Sequence, residues 1–219
     1  AYEMAAEIKN LSYVQFHPTA FNNRTTRECF LISEAVRGEG AHLLNCHKER
    51  FMHNYDKRLE LAPRDVVSHA IVHESRKQNS TDFYLDISYK DGDFLRKRFP
   101  MIYNNLLEQG SDLTEAPVPI YPCQHYLMGG IDVDSNSETT LPNLYAGGEC
   151  SHTGVHGSNR LASNPLLEAL VFSRRAAENI ASKLGSVSDT FAEAEFDPHT
   201  ENPHIPKGYR TATRNIMQE

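Results

Sequence analysis

Apolar and polar positions alternate loosely from Leu11 to Phe16, with Leu11, Tyr13 and Gln15 on one side and Ser12, Val14 and Phe16 on the other. A period near two that stops at His17-Pro18 predicts a strand entering a turn, which puts His17 at a strand end. The mostly apolar run Phe30 to Val36 closes on Arg37-Gly38-Glu39-Gly40, where glycines on either side of Glu39 suit a tight turn. From Pro63 onward Val66, Val67, Ala70 and Ile71 recur at helical spacing, so Pro63 sits before or inside a first turn and Arg64 at the start of a helix. A strand is predicted at Phe83 to Ile87. One helix then runs from about Asp93 to Gln109, carrying Phe94, Leu95, Phe99, Ile102, Leu106 and Leu107, and ends at Gly110.

Pro117, Pro119 and Pro122 force the stretch Glu115 to Pro122 to be extended, which reads as a connector with a change of module near residue 122. Beyond it, Leu144-Tyr145-Ala146 running into Gly147-Gly148-Glu149 predicts a short buried strand with a glycine turn, and a long helix is predicted from Asn164-Pro165 to about Leu184. Gly185 to Gly208, rich in Ser, Pro, Asp and His, reads as linker, with a further helix at Tyr209 to Met217. Ala1 to Lys9 resembles the tail of a helix without its N-cap. Both ends therefore look cut, and internal repeats are absent from the sequence.

Composition narrows the class. A chain of 219 residues buries about 70% of its unfolded surface, enough for one globular domain or two small ones. Its 22 Lys+Arg against 29 Asp+Glu leave a formal charge of −7, which offers no broad cationic face for nucleic acid, so an anion has to be held by a local pocket. Apolar runs such as Leu166 to Phe172 fall far short of the ~20 residues of a membrane span, and no secretory signal opens the chain, which makes the cytoplasm the default compartment. Cys29, Cys46, Cys123 and Cys150 form no CxxC pair and read as free thiols; with no HExxH, and Cys46-His47 alone too few as ligands, no metal site is expected.

The densest chemistry is Thr153-Gly154-Val155-His156-Gly157-Ser158-Asn159-Arg160, directly before Leu161-Ala162-Ser163-Asn164-Pro165. Glycines let the backbone approach a ligand, Ser163 or Asn164 can cap the helix, and Pro165 can take its first position, leaving N–H groups and the positive end of the dipole facing an anion. The same segment also reads as a loop whose glycines merely turn the chain and whose Arg160 is solvated. His17, His125 and Arg64 stand at element ends, each with a bland alternative: a satisfied cap or surface histidine, or a helix-start ion pair of Arg64 with Asp65 worth ~0 to 1 kcal/mol.

Taken as a set, five strings are specific: Gln15-Phe16-His17-Pro18-Thr19-Ala20, Ser33-Glu34-Ala35-Val36-Arg37-Gly38-Glu39-Gly40-Ala41, Glu60-Leu61-Ala62-Pro63-Arg64-Asp65, His125-Tyr126-Leu127-Met128-Gly129-Gly130, and the segment Thr153 to Arg160. In this order they resemble the succinate dehydrogenase/fumarate reductase flavoprotein family, over nearly the whole chain up to about Ala181, and Pro63 before Arg64 with the Leu161-Ala162-Ser163-Asn164 run favours its aspartate-oxidising branch. The resemblance implies an α+β fold in which a capping domain of helices and small sheets, residues 11–121, joins the C-terminal piece of a Rossmann-like FAD-binding domain, residues 122–196. Residues 1–10 would end that domain's first segment, and 197–219 would be linker and the start of a C-terminal helical domain. No G-x-G-x-x-G occurs, so the chain is expected to be a fragment, inactive by itself, of a longer enzyme.

By the same resemblance, the enzyme uses non-covalent FAD to oxidise L-aspartate to iminoaspartate, with oxygen or fumarate as acceptor, as the first step toward quinolinate and NAD. L-aspartate or another C4 dicarboxylate is the implied substrate and quinolinate synthase an implied partner. Arg64 matches the proton donor/acceptor; His17, Ser33, Glu34, His125 and Arg160 match substrate-binding positions; Glu149, Asn164, Pro165 and Leu166 match cofactor-binding ones. Ser33 stands where threonine is common and keeps the hydroxyl. Pro165 stands where serine is usual and has no N–H, so the Leu166 amide and the helix dipole must serve instead. A fumarate reductase or succinate dehydrogenase subunit and a non-catalytic module are the competing readings.

Overall fold

The computed structural model describes residues 1–23 and 29–186. Two compact units divide the chain, Ala1–Ser182 and Lys183–Glu219; of the second, the description reaches the 3-10 turn Leu184–Ser186. The predicted linker from Gly185, past that turn, and the helix at Tyr209 to Met217 lie outside the described residues.

The first unit mixes helices with two sheets, the α+β class expected. After a 3-10 turn at Tyr2–Met4, β1 (Ile8–Lys9) and β2 (Val14–Phe21) lead to the single-turn helix α1 (Ala35–Gly38) and to β3 (His42–Leu44). Next come the helix α2 (Arg64–Gln78), β4 (Phe83–Asp86), the helices α3 (Gly92–Arg98) and α4 (Pro100–Glu108), β5 (Val118–Leu127), β6 (Gly130–Asp132), β7 (Ser151–His152) and α5 (Asn164–Lys183). The larger sheet is antiparallel in the order β2-β5-β4-β3. The smaller has the order β1-β6-β7, antiparallel across β1 and β6 and parallel across β6 and β7.

On α2, Val67, Ala70, Ile71, Glu74 and Ser75 are buried, an i, i+3, i+4, i+7 stripe laid against β2 and β5. Pro63 supplies the extended residue ahead of the helix, and Asn79, at φ 49°, ends it by returning its N–H to the carbonyls of Ser75 and Arg76. Behind the sheet, Phe51, Phe83, Val67, Ile71, Leu95, Leu106 and Ile120 form one apolar core.

Several expectations change. The strand expected to stop at His17 continues through Pro18 to Phe21. Pro18 costs no ladder bond because the β2–β5 register shifts between His17 and Ala20. Its inward positions are polar: Gln15 and His17 are inside while Phe16 is 47% exposed. The helix predicted over Asp93 to Gln109 is two, since Pro100 lacks an N–H and drives Phe99 to φ −129°, ψ 54°. The proline-rich connector is in part a strand, β5, and runs between β2 and β4. Leu144-Tyr145-Ala146 is no strand; Tyr145 makes an isolated bridge to Glu138, and Leu144 is 37% exposed. Ala1 to Lys9 is a 3-10 turn followed by β1 rather than a helix tail.

The chain passes between the two sheets at two adjacent points. Lys9 pairs with Gly130 and the Met128 N–H donates to the Tyr13 carbonyl at 2.9 Å, so the outgoing and returning strands lie side by side. A Cβ on Gly129 would stand 2.0 Å from the Asn10 carbonyl oxygen, a backbone clash that only glycine avoids.

Candidate active site

Four elements converge on a cavity of about 340 Å³. The turn before α1 gives Glu34, α1 gives Arg37, the start of α2 gives Arg64, and the loop 153–163 between β7 and α5 gives Arg160. The local reasons are legible. Arg37 is buried on the short helix and donates from Nη1 to the carbonyls of Glu60 and Ala62, at 2.5 and 3.2 Å, which fixes the turn leading into Pro63 and so into Arg64. Arg64 Nε donates to Glu34 Oε2 at 2.8 Å, and the same oxygen lies 3.6 Å from Arg37 Nη2. One carboxylate thus joins two guanidinium groups. Burial would push the Glu34 carboxyl up, but the hydrogen bond and charge of Arg64, with Arg37 and Arg160, hold it below the usual range and ionised.

Arg160 is 6% exposed, and burial together with Arg64 lowers its pKa. Its guanidinium lies over the Tyr126 ring at 4.4 Å. Its carbonyl accepts from Gln15 Nε2 at 2.7 Å, and the same amide donates to Asn159 Oδ1 at 3.1 Å, which ties the loop to β2. This accounts for a polar residue at an inward position of β2: the buried Gln15 amide is bonded to the loop. Arg64 Nη1, Arg160 Nε and Arg160 Nη2 are buried with no hydrogen-bond partner. Buried N–H groups on charged side chains are costly to leave unmade, so the cavity is chemically suited to an anion with several oxygens.

His17 and His125 stand beside this cluster, ring centroids 5.3 Å apart and nearly perpendicular. Burial, then the charges of Arg64, His125, Arg37 and Arg160, push His17 down to about 3, so it is neutral near pH 7. The Thr19 N–H donates to its Nδ1 at 3.3 Å, which places the ring proton on Nε2 and makes that atom a donor. His125 is also lowered, by burial and then by Arg160 and Arg64.

Of the substrate-binding residues expected from the sequence, Glu34, Arg64 and Arg160 line the cavity, and His17 and His125 lie within electrostatic reach of it. Ser33 is exposed, and its hydroxyl accepts the Ala35 N–H at 3.3 Å. The residues expected to meet the cofactor lie elsewhere. Glu149 is exposed on the 3-10 turn Gly148–Cys150 and accepts the Leu127 N–H at 3.1 Å, while Asn164, Pro165 and Leu166 open α5.

Leu161, Leu166, Leu167 and Leu170 expose 59 to 71% of their surface there, so the start of α5 presents apolar side chains to solvent. Pro165 has no N–H, so the Leu166 and Leu167 amides are the donors that follow it in the first turn of α5. The sequence holds no G-x-G-x-x-G, the glycine loop that cradles phosphates.

Sequence reasoning singled out neither Gln15, Arg37, Tyr126 nor Glu168. It also took His-x-x-x-His spacings to be absent, although His69/His73 and His152/His156 have them. These go to other work: His73 Nδ1 bonds the Tyr55 hydroxyl, His152 Nδ1 the Met128 carbonyl and His156 Nε2 Glu168, and among the described residues no three ligand groups gather for a metal. Among the described residues, too, no helix is long and apolar enough to cross a membrane.

Residues 1–166 match a family described as FAD binding domain. The chain is 55% identical over 192 residues to an L-aspartate oxidase of Clostridium perfringens, covering 87% of this chain and 42% of that protein. It is 45% identical over 188 residues to an L-aspartate oxidase of Vibrio cholerae, covering 86% and 35%. Among solved structures it is similar to a quinol fumarate reductase of E. coli, with TM-score 0.77 and 32% identity over 98% of this chain and 37% of that one. The chain therefore spans well under half the length of these relatives.

Proposed function

Because this chain belongs to the FAD binding domain family, whose cofactor is FAD, we propose that an enzyme of the relatives' full length carrying this sequence oxidises L-aspartate to iminoaspartate. The observation that carries the reading is the set of buried, unpaired N–H groups on Arg64 and Arg160 at one cavity, with the neutral His17 and His125 beside it. A dicarboxylate offers those donors oxygens at both of its ends. Bound FAD supplies an acceptor for the hydride that leaves the substrate α-carbon.

The chain's own groups do the rest. Arg160 grips one carboxylate as a fork, and the imidazoles of His17 and His125 donate to the other. Arg64 touches the substrate from the opposite wall and is the catalytic residue that handles its proton, with Glu34 as the next stop along the line toward Arg37. Ser33 would complete the shell once its hydroxyl turns from the Ala35 N–H, and Glu149, Asn164, Pro165 and Leu166 would border the cofactor. The two sheets support a division into a cap with flavin segments on either side, but the return crossing falls after β5, near residues 128–130, rather than at 121, because β5 runs unbroken through Pro122 to Leu127. The imine product hydrolyses readily in water, which favours a partner that consumes it at once, the role of a quinolinate synthase, in the cytoplasm.

The quinol fumarate reductase likeness keeps a second reading in view, the same C4 skeleton without the amine. Incubating the full-length holoenzyme with L-aspartate in air decides between them. Peroxide and iminoaspartate are expected; a succinate–fumarate couple with an artificial dye and no reaction with aspartate would overturn the aspartate assignment.

A further inference from the structure

The loop 153–163 that carries Arg160 turns through left-handed backbone at Gly154, Gly157 and Ser163. It is clamped from the second turn of α5. Glu168, 6% exposed, accepts from the Thr153 hydroxyl on one carboxylate oxygen and from His156 Nε2 at 2.7 Å on the other. His156 Nδ1 is buried with no partner, so Glu168 is the group whose hydrogen bond orients that ring. The His156 ring meets Tyr126 edge-on, centroids 5.8 Å apart, and the Tyr126 ring carries the Arg160 guanidinium. A continuous column thus runs from Glu168 through His156 and Tyr126 to Arg160, and Glu168 also acts directly on the Tyr126 hydroxyl, whose pKa it helps to raise after burial.

Stability gives no reason for this arrangement. Burying a carboxylate costs several kcal/mol before any pairing, and apolar side chains could fill the same space at less cost. A carboxylate does supply two fixed acceptors that set the directions of two donors, and through them the seat of the Tyr126 ring. We propose that Glu168 is a positioning residue for Arg160, acting through His156 and Tyr126, and that it sets the affinity of the site for the carboxylate that Arg160 holds. The proposal rests on the dicarboxylate reading above.

The test uses the full-length holoenzyme, with succinate binding followed by the change in flavin absorbance and aspartate turnover measured alongside. Glu168→Gln keeps the shape and withdraws the charge; it is expected to weaken succinate about tenfold, with the loss in turnover falling on KM rather than kcat. In an Arg160→Lys background the same substitution should change the affinity less than about twofold, because its effect passes through the guanidinium fork. An equal factor in both backgrounds means that Glu168 only stabilises the fold and overturns the proposal. His156→Phe, which keeps a ring against Tyr126 and removes the bond to Glu168, covers the case in which Glu168→Gln loses its flavin. The same non-additive loss is expected from it, and unchanged succinate affinity overturns the proposal. An unsubstituted enzyme that binds no succinate and oxidises no aspartate would instead overturn the dicarboxylate reading, and this inference with it.

Discussion

Replacing Arg64 by leucine in the full-length enzyme should abolish aspartate oxidation while leaving the flavin spectrum nearly unchanged. Arg64 lines the cavity and gives its Nε to Glu34 at 2.8 Å. Losing one charge-assisted contact to the substrate costs about 2 to 5 kcal/mol, and even the lower figure is about 30-fold in rate. A positioned proton donor or acceptor adds about 10²- to 10⁴-fold. Together they put kcat/KM down by at least about 3,000-fold. The fold should tolerate the change, because Glu34 keeps Arg37 at 3.6 Å and a like charge is removed from beside Arg160. Peroxide release in air, with fumarate as a second acceptor, gives the rate, and the visible flavin bands and the melting temperature check the fold. Turnover within about tenfold of the parent, at parental flavin content, would refute the catalytic role.

Removing the Arg160 fork by Arg160→Ala should weaken aspartate, fumarate and succinate together, by about 2 to 5 kcal/mol, as read by competitive inhibition; a loss confined to one of them would contradict a shared carboxylate seat. The 219-residue chain alone is expected to bind FAD weakly, since it lacks the glycine loop that would hold the phosphates, and a calorimetric titration showing tight stoichiometric binding would refute this. His17 carries a pH signature. Its folded pKa of about 3 lies below the unfolded value of 6.5, so the unfolded state takes up the proton first, and stability falls as pH drops from about 6.5 toward 3. His17→Gln should flatten that limb of a melting-temperature profile, and an unaltered slope would show that His17 is not its source.

How legible was all this in the sequence? The helix from Arg64, the strand at Phe83 and the helix from Asn164 follow from periodicity bounded by proline, glycine or asparagine, which is local information. The break at Pro100 was equally local, and the run of apolar residues across it concealed two helices behind one period. Strand β2 was misread past His17 because its inward positions are polar for the sake of the site, and β5 because its prolines fall where its partners or register change. Of the site, Arg64, Glu34 and Arg160 came from motif order. Arg37, Gln15, Tyr126 and Glu168 act across long sequence separations, and no local pattern distinguishes a carboxylate that anchors a loop from one that faces solvent.

The paired crossing at Asn10 and Gly129 has a consequence for engineering. Everything from Tyr13 to Leu127 leaves and re-enters the rest of the chain through one narrow gate, so the two cut points needed to lift that segment out are neighbours in space. A short bridge of a few residues could then close either remainder without spanning any distance. The larger sheet can thereby be exchanged between relatives as a cassette, provided that the residue facing the Asn10 carbonyl stays glycine.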